Sequence, residues 1–243
     1  MGTCLDWHHS IFSALNIALT QTTETQGTSH PVTIETSNLA LDWRQGFFGE
    51  IHARFKARQP AEDIDDTHRR VLKRLVSTQK WQRFRAMTDE SIEQCVQAWH
   101  HQVAWPDVIA ALPKLRERYD VVVLANGTTR LQLDITKSSG LTFDMLFSSE
   151  LLGMTKPDPA IYRSAMELLK RRPEECVMVA AHASDLRAAK AVGMRTVYLQ
   201  RWSEDTQENM EVVRKENEWF VDGRKATKEA GGLLEVVEIL KGA

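Results

Sequence analysis

Cysteine is scarce. Cys4, Cys95 and Cys176 are the three in 243 residues, too few and too far apart for a disulfide framework, and none stands at Cys-x-x-Cys or Cys/His ligand spacing. All three are read as reduced packing residues, and no metal site is expected. Long hydrophobic runs are missing too. The longest purely apolar stretches, such as Val121 to Ala125, are a handful of residues against the roughly 20 that cross a bilayer, so no membrane partner is expected. Met1 to His9 carry neither a basic nor an apolar leader region, which predicts an intracellular, cytoplasmic protein. An excess of one charge is absent: 31 Lys and Arg face 33 Asp and Glu, for a net charge of -2. That removes the basic surplus of a nucleic-acid binder. Repeats and low-complexity tracts are absent as well.

What is present is a globular composition, 42% hydrophobic, enough to offset the entropy of ordering the chain. Two textures divide it. From Trp7 to about Trp105 the apolar residues recur at helical spacing. Ile11, Leu15 and Leu19 mark a first helix; Trp43, Phe47, Ile51 and Phe55 mark a second, entered through Ser37-Asn38 as a cap. Val71, Leu72, Leu75 and Val76 mark a third. Thr88-Asp89-Glu90 opens a fourth, with acidic residues in its first turn where the macrodipole favours them. Gln21 to Ser37 reads as a polar loop. From about Pro106 short β-rich runs alternate with helical segments, the pattern of βαβ units on a parallel sheet. The predicted strands are Asp120 to Leu124, Met145 to Ser148, Cys176 to Ala181, Thr196 to Gln200 and Trp219 to Val221. Asp158-Pro159 predicts a capped helix start and Gly193 a helix end. Ser203 to Glu229, dense in charge, reads as a solvated connection.

In an open parallel sheet, ligands bind past the carboxyl ends of the strands. Four loops then stand out: Met1 to Asp6, Ala125-Asn126-Gly127-Thr128-Thr129, Lys156-Pro157-Asp158-Pro159 and His182-Ala183-Ser184-Asp185. Each alone is weak, since Lys-Pro-Asp-Pro is also a turn with a helix cap and Asp185 alone could cap a helix. The aromatic residues of the helical half are read first as packing, with a few lining an apolar pocket. His8-His9 and His100-His101 read as surface pairs.

In this order, after a helical insert, these motifs resemble the haloacid dehalogenase superfamily, most closely its 2-haloacid-dehalogenase-like branch in fungi. The resemblance implies an α/β fold: a doubly wound parallel sheet core, residues 1–6 and 106–243, with an inserted helical cap, residues 7–105. Gly2-Thr3 match the end of the family's Asp-x-x-Gly-Thr pattern, which places the nucleophilic aspartate before Met1. Thr3 fits the threonine that positions that nucleophile. Arg54 falls where dehalogenases place an arginine for the leaving halide or substrate carboxylate. Asn126, Lys156, Tyr162 and Asp185 match family positions. Ala125 stands in place of a hydroxyl residue. Ala181 occupies the site of the extra aspartate of Mg²⁺-dependent phosphatases, and His182 that of an asparagine.

Covalent hydrolysis in this family needs a carboxylate nucleophile, and Mg²⁺ needs more oxygen ligands than Asp185 supplies. The expectation is therefore a repurposed enzyme without a cofactor. It would use the cap-core pocket for a cyclisation or pericyclic step, such as a Diels-Alder reaction in fungal natural-product biosynthesis, on an apolar small molecule. Arg54, Lys156 and His182 are the catalytic candidates; Thr3, Asn126, Tyr162, Asp185, Trp43 and Phe47 are the substrate-binding ones. Two alternatives stand beside it: a 2-haloacid dehalogenase-like hydrolase whose N-terminus lies further upstream, and a non-catalytic binding protein. The central strand that the resemblance requires is absent from the motifs. Met1 to Leu5, Trp219 to Val221 or a strand swapped from a second copy, giving a homodimer, are the candidates to fill its place.

Overall fold

The computed structural model describes residues 1–24, 33–57, 59 and 62–242. They form two compact units, Trp7–Val103 and Met1–Asp6 with Ala104–Ala243.

The first unit is helical: α1 (Trp7–Glu24), α2 (Thr33–Lys56), α3 (Ile64–Val76) and α4 (Asp89–Gln97). Its starts are written locally. Asp63 caps α3 by accepting from the Asp65 amide, and Thr88 caps α4 by accepting from the Ser91 amide. The second helix differs from the reading above: it begins at Thr33, so Ser37 and Asn38 are interior rather than a cap. The expected loop Gln21 to Ser37 is thus helical at both ends, and residues 25–32 lie outside the described ones, as does the Phe55 side chain. Ser37 points inward, its hydroxyl 2.9 Å from His8 Nε2.

Aromatic stacking fills this unit. Trp99 lies at 4.4 Å over His68, which lies at 3.9 Å over Phe47, and Trp7 stacks on the far side of the group at 5.8 Å from Trp99. The Arg44 guanidinium sits 4.4 Å above the Trp7 ring, a cation-π contact strengthened by the absence of water. Neither histidine pair is a surface pair. His8 and His100 are buried, the latter 3.0 Å from Asp65, while His9 and His101 are exposed. His8 and His9 are turned about 100° apart on α1, so the two point in different directions, whereas His101 follows the short 3-10 turn that ends at His100.

The second unit alternates strands and helices: α5 (Pro106–Arg116), β1 (Val122–Ala125), α6 (Thr129–Ser139), β2 (Met145–Ser148), α7 (Ser149–Leu152), α8 (Pro159–Leu169), β3 (Val177–Ala180), α9 (Ala183–Ala191), β4 (Arg195–Gln200), α10 (Met210–Glu216), β5 (Trp219–Asp222) and α11 (Leu233–Lys241). All ladders are parallel. β1 pairs with β2, and β3, β4 and β5 pair in that order. Side chains alternate across the second ladder as a period of two requires. Val197 and Leu199 pack among residues of α5 and α11, while Tyr198 packs with Ala183, Leu186 and Val213 of α9 and α10. Met1 to Leu5 does not join either sheet; Leu5 makes one antiparallel bridge to Ala104. Trp219–Asp222 is the outer strand beside β4. Neither of these expected fillers stands between β1 and β3.

One buried ion pair ties the second unit together. Arg201, just past β4, makes two bonds to Asp107 at the start of α5, at 2.9 and 2.8 Å. It also donates to the carbonyls of Thr3 and Gly223 at 3.2 Å each. Asp107 accepts in addition from the Leu233 amide at 2.7 Å. Both charged side chains are sealed from solvent, at 1% and 0% exposure. Gly232 is obligatory here, because it has a φ of +58° and a Cβ would lie 2.2 Å from the Asp107 carboxylate.

Two outcomes follow from these cores. Replacing Arg201 by Met leaves Asp107 buried without its cation, and is expected to cost about 3 to 5 kcal/mol in urea unfolding; a loss under 1 kcal/mol would contradict the role given to the pair. In the helical unit, burial first, then the charges of Arg44 and His100, hold the His68 imidazole well below its ordinary 6.5. His68 is neutral when folded and gains a proton on unfolding, so its contribution is complete above about pH 6.5 and is lost as pH falls below it. The drop in thermal midpoint between about pH 7.5 and about pH 5.5 should be smaller in His68→Phe than in the parent, followed by tryptophan fluorescence.

Candidate active site at the carboxyl ends of the strands

The loops after β1 and β3 converge with the one before α8. Asn126, immediately after β1, makes a reciprocal pair with the backbone of Lys156: the Lys156 amide donates to Asn126 Oδ1 at 2.8 Å, and Asn126 Nδ2 donates to the Lys156 carbonyl at 3.0 Å. That clamp aims the Lys156 side chain across to α9, where Nζ donates to Asp185 Oδ2 at 2.5 Å. Both side chains are largely shielded, at 10% and 15% exposure. Tyr162, fully buried, donates from its hydroxyl to the Asp185 backbone carbonyl at 3.1 Å. Thr3 accepts from the Ala181 amide at 3.0 Å.

Charges at this end hold one another. Burial raises the affinity of Asp185 for a proton, but the Lys156 and His182 charges and the Lys156 hydrogen bond outweigh it and hold the carboxyl below its ordinary range. Burial and the Asp185 charge push the Tyr162 phenol up, so it serves as a neutral donor. Lys156 and Asp185 thus form a shielded ion pair, and the Tyr162 proton stays in place at neutral pH.

Six of the expected residues, Thr3, Asn126, Lys156, Tyr162, His182 and Asp185, line one cavity of about 670 Å³ in the second unit. The other three belong to the helical unit. Arg54 pairs with Glu62 at 3.2 Å, and that carboxyl is held at about 2, chiefly by its hydrogen bond to Arg70. Trp43 is fully buried, with its indole donating to the His68 carbonyl at 2.9 Å. Phe47 is stacked on His68.

Two carboxylates beside the site escaped the reading. Ser203 to Glu229 is not simply a solvated connection: it carries α10, and Ser203 and Glu204 are buried. Glu204 Oε2 lies 2.5 Å from His182 Nε2. A Cβ on Gly2 would sit 2.1 Å from Glu204 Oε1, so this close approach requires glycine. Asp205 has a φ of +50°, which aspartate tolerates better than most residues. It accepts from the Ala183 amide at 2.6 Å. Burial pushes the Asp205 carboxyl up, opposed by that amide and by His182. The signal was available: both residues follow closely on the carboxyl end of β4, the place where such sheets build sites. Among the described residues no group of three or more His, Cys, Asp or Glu is arranged to hold a metal ion.

A profile of haloacid dehalogenase-like hydrolases matches residues 2–193. This chain belongs to that family. Its hydrolase relatives include (S)-2-haloacid dehalogenase 1 of a Pseudomonas species, strain CBS-3, 31% identical over 107 residues, covering 43% of this chain and 47% of that protein. Phosphoserine phosphatase of Thermus thermophilus is 33% identical over 101 residues, 40% of this chain and 41% of that protein. The chain thus spans about half the length of the curated relatives it matches. Among solved structures, the crystal structure of an L-2-haloacid dehalogenase superposes with a TM-score of 0.78 at 28% identity, covering 100% of this chain and 96% of that one. These likenesses favour the hydrolase alternative over the cyclisation expected above.

The Lys156–Asp185 pair sets an acid limit. Its contribution is complete above the ordinary aspartate range and is lost as pH falls through the depressed value of Asp185. Asp185→Asn should cost about 3 kcal/mol near neutrality by stranding the Lys156 charge, and should flatten stability between about pH 5 and about pH 3 in denaturant titrations. An unchanged acid profile would show that the pair carries no linkage.

Proposed function

We propose that this family member is a 2-haloacid dehalogenase-like hydrolase, acting on a small acid with halogen on the carbon beside the carboxylate. The likeness over the full chain to an L-2-haloacid dehalogenase carries the reading. The polar frame suits it. Lys156 supplies a shielded cation beside Asp185, with Asn126 fixing its backbone, and a fixed cation in a low-dielectric site stabilises developing negative charge strongly. Ala181 stands where the metal-dependent phosphatases resembled above carry an additional aspartate, so the phosphatase likeness weighs less.

Displacing halide needs a nucleophile. Three carboxylates near the strand ends are occupied: Asp185 by Lys156, Glu204 by His182 and Asp205 by the Ala183 amide. The attacking group of this reading is the aspartate that the Asp-x-x-Gly-Thr pattern places four positions ahead of Thr3.

The test uses the polypeptide as its own cells make it, with its mass measured, incubated with (S)-2-chloropropionate. Chloride release is expected, falling about 10² to 10³-fold in Lys156→Met. A folded, intact protein that releases no chloride, or a Lys156→Met variant as active as the parent, would overturn the reading.

A further inference from the structure

His182 stands immediately before α9, at the position whose side chain ordinarily caps a helix by accepting from its first amides. It makes no such bond. Asp205, in the loop after β4, meets the helix instead, accepting from the Ala183 amide at 2.6 Å and from the Tyr198 hydroxyl at 3.3 Å. Its left-handed backbone, at a φ of +50°, is one that a residue other than glycine adopts at some cost. The residue before it turns to the histidine ring. Glu204, its side chain 3% exposed, places Oε2 2.5 Å from His182 Nε2, while Oε1 accepts from the Ser203 hydroxyl at 3.4 Å. One short loop thus takes over the start of the helix and grips the imidazole.

A carboxylate can only accept, so its bond to His182 requires the hydrogen on Nε2, and a neutral ring then carries its lone pair on Nδ1. The ring lines the same cavity as Lys156, Tyr162 and Asp185. Lys156 and Asp185 hold each other, and burial keeps the proton on Tyr162. Imidazole is the side chain that exchanges a proton most readily near neutrality, so His182 is the one of these four suited to accept and return one.

We infer that Glu204 is a positioning residue that fixes His182 as the Nε2–H tautomer, so that Nδ1 accepts the proton of the water that completes hydrolysis. The inference rests on the hydrolase reading above, in which halide leaves as the nucleophilic aspartate forms an ester with the substrate carbon. Water then adds to the ester carbonyl carbon, and its proton passes to Nδ1. The carbonyl electron pair moves to oxygen and returns as the bond between the ester oxygen and the substrate carbon's fragment is released at the acyl carbon. The imidazolium proton goes to the departing hydroxyl oxygen, giving the 2-hydroxy acid, and the restored aspartate yields its own proton to solvent.

With histidine labelled at both ring nitrogens, nitrogen NMR of residues 1–243 at about pH 9, where an ordinary imidazole is neutral, should show His182 protonated at Nε2 and not at Nδ1. Its signal is assigned by its loss in His182→Asn. Glu204→Gln, whose amide oxygen can take the same bond, should keep that tautomer, and Glu204→Leu should lose it. The chloride assay then separates the two steps. In Glu204→Leu the first equivalent of chloride should appear at the parent's rate, while steady-state release falls about 10²-fold and the ester accumulates as added mass on the intact protein. Glu204→Gln should recover most of the steady-state rate. A parent ring protonated at Nδ1, the parent's tautomer in a folded Glu204→Leu, or an unchanged steady state in that variant would each overturn the inference and leave the hydrolase reading intact. A parent that releases no chloride would overturn that reading, and the role of His182 as base with it. The parent's tautomer is read without any change at Glu204, so it decides even where Glu204→Leu does not fold.

Discussion

The buried pair of Arg201 and Asp107 is the constraint on which the second unit turns. Removing two charges from water costs several kcal/mol for each ion, and the attraction between them repays this only where geometry is good and the remaining donors and acceptors are met. Here they are met. The guanidinium bonds the carboxylate through two nitrogens and reaches the Thr3 and Gly223 carbonyls, while the carboxylate takes the Leu233 amide. Five separate stretches of chain therefore meet at one point: the N-terminal turn, the start of α5, the ends of β4 and β5, and the start of α11. Thr3, held there by its carbonyl, presents its hydroxyl to the Ala181 amide. The position of Thr3 at this end of the strands thus depends on a contact buried elsewhere in the unit.

With that frame fixed, environment sorts the acids at the strand ends. Asp185 faces a lysine and a histidine and is held below its ordinary range; Asp205, half-buried and met by the Ala183 amide and the Tyr198 hydroxyl, is pushed up. Separation of this kind lets one small region offer a permanent anion and a carboxyl of different proton affinity. Lys156 gains most from it. Its charge stays in a shielded place because Asp185 compensates it, and its direction is set by the Asn126 clamp on its own backbone.

Much of this was legible in the residues. All five strands were anticipated to within two residues at each end, because β-rich runs bounded by turn residues are a local signal. The caps at Thr88 and Asp158 follow from one side chain and the amides next to it. The order of the loops carried the family resemblance. Cys95, read as a packing residue, is buried, and burial pushes its thiol up to about 12. Legibility failed where a residue's partner is distant. Ser37 looked like a cap because its hydroxyl suits one, yet it bonds His8, 29 residues away. Glu204 looked solvated because it lies in a charged run, yet it is buried against His182, 22 residues away.

The sequence by itself determined the class of the fold, the placement of the strands and the identity of the loops at their carboxyl ends, since periodicity, capping and turn chemistry act over a few neighbouring residues. Tertiary structure alone decided which charges are buried and that Trp43 belongs to a core. Those outcomes depend on contacts between segments 94 and 178 residues apart, Arg201 with Asp107 and Ala181 with Thr3. No local pattern encodes them, because the free energy of burying a charge is set by whatever the fold brings beside it.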